Sequence, residues 1–120
     1  MTRAALPHLS ESEAGVLINI SSGLGRFGVA KSSAYCASKF AVEGFTQALA
    51  DECSGSSLTV VSLAPGMVAT DMLKTYLEDD DVSAYLDPKD VASGIGRLLE
   101  DVSPAFNGRA LDIDAFLSLG

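Results

Sequence analysis

The chain has 120 residues, with 8 Lys plus Arg, 16 Asp plus Glu and one His, giving a formal charge of −8. At 48% hydrophobic and 20% charged, this is the make-up of a folded globular chain, one domain or part of one, and not of a disordered tail. Eight scattered cations offer no basic face for phosphates, which excludes nucleic acid; no apolar run approaches the ~20 residues that cross a bilayer; and no long apolar stretch follows Arg3, which argues against a secretory signal and for the cytoplasm.

Residues 1–9 read as the end of a helix disturbed by Pro7, followed by the polar Ser10-Glu-Ser-Glu13. Gly15 opens Val16-Leu-Ile-Asn-Ile20, a short, nearly continuous apolar run that suits a strand covered on both faces, as in parallel sheets. Ser21 to Ser33 is a loop rich in Gly and Ser. From Ala34 to about Cys53 the pattern is helical, with Ala37, Ala41, Phe45, Ala48 and Leu49 recurring at spacings of three and four. Ser54-Gly-Ser-Ser57 is a stop and turn, and Leu58-Thr-Val-Val-Ser-Leu63 is a second buried strand.

An acidic stretch from Ala69 to Ser83 carries only weak helical pattern. Asp87-Pro88-Lys89-Asp90 announces a helix start, with Asp as cap, Pro at the first position and an acid in the first turn. Val91, Ile95, Leu98 and Leu99 mark one side of that helix, which stops near Asp101. Asn107-Gly108 turns the chain into a short last strand, Ala110-Leu-Asp-Ile113. The order strand, helix, strand, helix, strand predicts an α/β fold with a parallel sheet and crossover helices.

Cys36 and Cys53 fall on one long helix, 17 positions apart, about 25 Å at the helical rise. A disulfide needs Cα atoms within about 7 Å, so both are expected as reduced, buried thiols. No second Cys or His is spaced to form a metal site with either.

The strongest chemical signal is Tyr35-Cys-Ala-Ser-Lys39 at the start of the long helix. Residues four apart share a helix face, so a phenol and an ammonium stand side by side. A phenol titrates near pH 10 and is a poor acid or base at neutrality; a nearby cation favours the phenolate. Chance alone supplies about 0.1 such matches in this composition. A second match, Tyr85-Leu-Asp-Pro-Lys89, straddles a helix cap and a proline, so its members cannot share a helical face. Context distinguishes the first. Ser22 stands at the carboxyl end of strand 16–20, the edge where open parallel sheets bind ligands, so a hydroxyl and a phenol can converge on one substrate oxygen.

Asn19-Ile-Ser-Ser22, then Tyr35-Cys-Ala-Ser-Lys39-Phe-Ala-Val-Glu-Gly44, then Pro65-Gly-Met-Val-Ala-Thr70-Asp-Met72, in this order, resemble the short-chain dehydrogenase/reductase family. The resemblance runs through nearly the whole chain. It implies a partial Rossmann-like, doubly wound parallel sheet of about three strands, and an NAD(P)-dependent oxidoreductase interconverting a small-molecule carbonyl and alcohol. It implies that Tyr35 is the general acid/base, that Lys39 lowers the phenol pKa and bonds the nicotinamide ribose, and that Ser22 positions the reacting oxygen. Pro65 and Gly66 would turn beneath the nicotinamide, the backbone of Val68 would meet its carboxamide, and Thr70 would bond the carboxamide or a phosphate. Asp71 to about Tyr85 would form a mobile substrate lid, and helix 34–53 would pack in a homo-oligomer interface.

Gly23-Leu-Gly25-Arg-Phe-Gly28 matches G-x-G-x-x-G with Glu43 twenty positions on, the outline of a dinucleotide fingerprint. That fingerprint needs its helix to open at the third glycine; here Val29 to Ser33 intervene and Glu43 falls inside a helix, so a flexible active-site loop is expected. His8 reads as a surface residue, Glu78-Asp-Asp-Asp81 as a solvated segment, and Met67 and Met72 either line an apolar pocket or pack beside the glycine turn. The family's T-G-x-x-x-G-x-G turn, its N-N-A-G segment and its adenine-side selector lie upstream of the Asn-Ile-Ser-Ser strand and have no counterpart in these residues. Residues 1–120 are therefore expected to be the C-terminal half of one such domain. They would keep the proton-transfer residues and the nicotinamide end, lack the adenine and pyrophosphate site, and turn over poorly alone. A catalytically inactive chain, or an interaction module pairing through helix 34–53, is the alternative.

Overall fold

Two short apolar segments form the first two strands of the sheet, and a twenty-residue helix crosses between them. The computed structural model describes residues 1–117. Helix α1 (Thr2–Glu11) runs through Pro7, β1 (Val16–Ile20) follows, and a 3-10 turn (Gly23–Gly25) leads to α2 (Ser33–Glu52). After β2 (Thr59–Ala64) come α3 (Asp71–Leu77), α4 (Pro88–Glu100), a 3-10 turn (Pro104–Phe106), β3 (Ala110–Asp112) and α5 (Asp114–Leu117). The strands lie in the order β1-β2-β3 in a three-stranded parallel sheet with flanking helices, an α/β arrangement. β1 pairs with β2 in register from Val16 opposite Thr59 to Ile20 opposite Leu63.

The chain divides into two compact units, Met1–Ala64 with Val102–Leu111, and Pro65–Asp101 with the segment from Asp112 on. In the first, every residue of β2 is buried and Leu49, Ala50, Leu58 and Val60 form the core, with Leu6, Leu9, Leu17 and Cys53 packed against it. β1 departs from the expectation of a strand covered on both faces. Its residues are half-buried and Ile20 is exposed, because α2 lies chiefly over β2 and β2 is the only strand that pairs with β1 among the described residues.

The second unit is built on α4, which starts as the sequence predicts. Asp87 caps it through Oδ1, which accepts from Lys89 N at 2.8 Å, and Pro88 takes the first position. Gly94 and Leu98 are its buried residues, with Ile113 and Phe116 buried in the same unit. Leu99, predicted on the apolar side, is exposed, since it lies about 100° around the helix from Leu98. Among the described residues no helix is long and apolar enough to cross a membrane.

Candidate active site

The carboxyl end of β1 and the first turns of α2 carry the three side chains that the sequence singles out. Ser21 N donates to Leu63 O at 2.8 Å, which extends the β1–β2 ladder one residue past Ile20. Ser22 then leaves the sheet and caps the 3-10 turn, its Oγ accepting from Leu24 N at 3.2 Å. Accepting uses an oxygen lone pair and leaves the hydroxyl hydrogen for donation to a ligand. Tyr35 sits in the first turn of α2, the residue 40% exposed. One turn on, Lys39 Nζ lies 5.6 Å from the Tyr35 ring centroid and donates to Ile20 O at 3.1 Å. One lysine therefore ties the phenol to the strand end that carries Ser22.

The residues expected at the nicotinamide lie in the second unit. Pro65 follows β2 directly, and Gly66 takes φ +72°, a left-handed conformation that disfavours any residue with a Cβ. Val68 forms an isolated parallel bridge with Leu86, flanked by Ala69 N to Leu86 O at 2.8 Å and Leu86 N to Met67 O at 3.2 Å. The Thr70 hydroxyl caps α3, accepting from Leu73 N at 3.3 Å, and it also donates to Val68 O at 3.3 Å. The segment 71–85, expected as a lid, holds the two-turn α3 and then turns.

The second Tyr-x-x-x-Lys match separates as the proline requires, with Tyr85 before the cap and Lys89 inside α4. Met67 and Met72 are both exposed, Met72 the more so. His8 and the run 78–81 are exposed as well. Within that run the Ser83 hydroxyl, at 2.6 Å, and the Ser83 amide, at 3.1 Å, both donate to Asp81 Oδ1 and hold its carboxyl below the usual carboxylate range. Both cysteines are free thiols, Cys36 buried and Cys53 half-buried. Two concavities, of about 340 and 320 Å³, are lined by other residues and include none of Ser22, Tyr35 or Lys39.

The polar side of α2 is what the periodicity missed. The residues that α2 buries are Cys36, Glu43, Thr46, Leu49 and Ala50, while Ala37, Ala41, Phe45 and Ala48 of the predicted apolar stripe are exposed. Thr46 Oγ1 accepts from Asn19 Nδ2 at 3.0 Å, and Ser62 Oγ donates to Glu43 Oε2 at 2.5 Å, so the helix meets the sheet through hydrogen bonds as well as apolar contact. An acid in mid-helix reads as solvated until its serine partner, 19 residues away on β2, is placed beside it. The glycine-rich loop does not act as a dinucleotide fingerprint, as the intervening Val29 to Ser33 predict. Gly25 is buried against α2, and its turn does not open the helix as a dinucleotide fingerprint would.

The short chain dehydrogenase family model matches residues 1–81. The chain is similar to a 3-oxoacyl-(acyl-carrier-protein) reductase from Vibrio harveyi, 33% identical over 95% of this chain and 50% of that protein. Among solved structures it resembles a short chain dehydrogenase from Salmonella enterica serovar Typhi, with TM-score 0.86 and 38% identity over 93% of this chain and 46% of that one. A short chain dehydrogenase from Shigella flexneri complexed with NADP gives TM-score 0.85 and 38% identity, covering 94% of this chain and 47% of that one. The chain thus spans about half the length of the relatives it matches. With its parallel sheet and its ordered Ser, Tyr-x-x-x-Lys and Pro-Gly segments, this chain belongs to the short-chain dehydrogenase family.

Proposed function

We propose that these residues supply the proton-transfer and nicotinamide-facing part of an NAD(P)-dependent oxidoreductase that interconverts a small carbonyl compound and its alcohol. The observation that carries this reading is the Lys39–Ile20 bond, which holds a cation beside the Tyr35 ring and next to the strand end bearing Ser22. Tyr35 gives or takes the proton at the reacting oxygen, and Ser22 donates its hydroxyl hydrogen to that same oxygen. Lys39 spends one of its three donors on Ile20 O, leaving two for ribose hydroxyls. Its donor chemistry fits the nicotinamide ribose, and Pro65, Gly66, Val68 and Thr70 would face the nicotinamide itself. The cofactor, when bound, supplies or accepts the hydride. The Asp71–Tyr85 segment would close over the substrate.

The residues present fit only that end of the cofactor. The sequence holds no T-G-x-x-x-G-x-G turn, and the Gly23–Gly25 turn cannot replace it because it does not open a helix toward a pyrophosphate. In this reading residues 1–120 are the C-terminal part of one Rossmann domain, and the adenine side of the cradle comes from other polypeptide. Hydride transfer needs reactants held to within about an ångström, so the 120 residues alone turn over poorly. Calorimetric titration of the purified chain with NADPH and NADH should show no micromolar binding. Fusion behind the N-terminal half of the Vibrio harveyi relative should restore turnover, and Tyr35→Phe should abolish it. Micromolar binding by the monomeric chain would overturn the incomplete cradle, and undiminished turnover of Tyr35→Phe in the fusion would overturn the proton-transfer role.

A second reading concerns assembly and is carried by α2. Ala37, Ala41, Phe45 and Ala48 recur along one stripe of the helix and are all exposed, Phe45 by 49%. We infer that a second copy of the chain covers this stripe, because small alanines let two helices approach closely around Phe45. Analytical ultracentrifugation should show a dimer that Phe45→Glu dissociates; a monomer at tens of micromolar chain would refute it.

A further inference from the structure

Among the described residues Glu43 is the only buried carboxyl, 6% exposed on the sheet-facing side of α2. Removing a carboxylate from water costs several kcal/mol unless donors surround it. Ser62 of β2 supplies one, its Oγ donating to Oε2 at 2.5 Å. The other oxygen, Oε1, is buried without a hydrogen-bond partner, and so is Ser21 Oγ at the end of β1, where the residue is 2% exposed. Gly25 marks where these groups meet. A Cβ there would stand 3.0 Å from Glu43 Cγ, 3.0 Å from Ser21 Oγ and 2.9 Å from Lys39 O. The turn that Ser22 caps is therefore pressed onto α2 at the level of Lys39 and Glu43, with no room for a side chain.

We propose that Glu43 is a positioning residue whose carboxylate gathers the hydroxyls of Ser62 and Ser21 and so clamps α2 to the ends of β1 and β2. A bond from the Ser21 hydroxyl to Oε1, made directly after rotation about Cα–Cβ or through one buried water, would satisfy both orphaned atoms, whose residues both lie against Gly25. The proposal rests on the assignment of Ser22, Tyr35 and Lys39 as the working groups, and it adds what holds them in place. Glu43 lies one helical turn beyond Lys39, and Ser21 lies between Ile20, whose carbonyl receives Lys39 Nζ, and Ser22. The clamp thus grips both partners of the Lys39–Ile20 bond from behind. Gly25 is required for the same reason, since any side chain there would push the Ser22 turn off the helix.

The test uses NMR of the full 120-residue chain, with two reporters that need no turnover. These are hydrogen exchange of the Leu24 amide, which Ser22 Oγ holds, and the Lys39 13Cε resonance. In Ser62→Ala and Ser21→Ala, the Leu24 amide should exchange at least tenfold faster, and the Lys39 resonance should move toward that of a solvated lysine. Glu43→Gln keeps an acceptor for Ser62 and gains a donor for Ser21, so it should preserve both signals, whereas Glu43→Leu should lose them. If Glu43→Leu fails to fold, the two serine variants decide. Native reporter signals in folded Ser62→Ala and Ser21→Ala, with only the melting temperature lowered, would overturn the clamp and leave the catalytic assignment intact. An active Tyr35→Phe fusion would remove the catalytic assignment and leave the NMR result standing.

Discussion

The side chain of Asn107 completes the buried strand at Val60. Its Oδ1 accepts from Val60 N at 2.9 Å and its Nδ2 donates to Ala50 O at 3.0 Å, while Gly108 N donates to Val60 O at 2.8 Å. A single carboxamide therefore joins α2 to the central strand where β3 has not yet begun. Asn107→Ala leaves the Val60 amide unpaired at a fully buried residue. It should cost about 2–3 kcal/mol, read as a lower urea midpoint at unchanged slope.

Two glycines of α4 should respond differently to the same substitution. Ala is favoured over Gly in a helix interior by about 1 kcal/mol. At Gly96, where a Cβ meets nothing within 4 Å, Gly96→Ala should gain that amount. At Gly94 a Cβ would stand 2.6 Å from Ile113 Cδ1 and 3.1 Å from Ile113 Cγ1, and Ile113 is itself buried. Overpacking of this kind costs about 1–3 kcal/mol, so Gly94→Ala should be neutral to destabilising. Thermal melts of the two variants side by side check the sign.

Local patterns made most of the elements legible, and long-range pairing hid the rest. β1 stands at the predicted Val16–Ile20, and the cap of α4 at Asp87-Pro88, because continuous apolar runs and capping chemistry are written in neighbouring residues. The family motifs likewise singled out Ser22, Tyr35 and Lys39, and the fold sets the Lys39 ammonium beside the Tyr35 ring and on the Ile20 carbonyl. The inward face of α2 was not legible. Its apolar stripe at Ala37, Ala41, Phe45 and Ala48 points to a helix face that the described chain leaves uncovered. The face on the sheet carries Glu43 and Thr46, whose partners Ser62 and Asn19 lie on two different strands. A polar residue inside a packed layer is invisible to periodicity until its partner is known.

The Asp81 turn sets an acid-side dependence. Ser83 donates twice to Oδ1, so the Asp81 carboxyl titrates below its ordinary value of 3.8 when folded. A depressed carboxyl contributes to the fold fully above its unfolded pKa, and that contribution fades as pH falls through the folded one. Ser83→Ala removes the larger, hydroxyl part and should return the Asp81 titration toward 3.8, as followed by carboxyl 13C shifts. The residue is fully exposed, so the melting temperature at pH 7 should hardly change.

Lys39 separates chemistry from stability most clearly. Its bond to Ile20 O is made by an exposed ammonium, so losing it in Lys39→Met should cost at most about 1 kcal/mol of folding free energy. The same change removes the cation beside Tyr35 and, in the proposed role, the two remaining donors offered to the ribose. In the fusion that restores turnover, it should lower kcat by about 10²-fold or more and raise KM for the cofactor. Lys39→Arg keeps the charge but not the compact ammonium that fits between the Tyr35 ring and Ile20 O, so it should recover only part of the loss. Turnover and urea midpoints measured on the same preparations distinguish the two roles. Unchanged turnover with an unfolding free energy lowered by about 3 kcal/mol or more would make Lys39 a strut between α2 and β1 and nothing more.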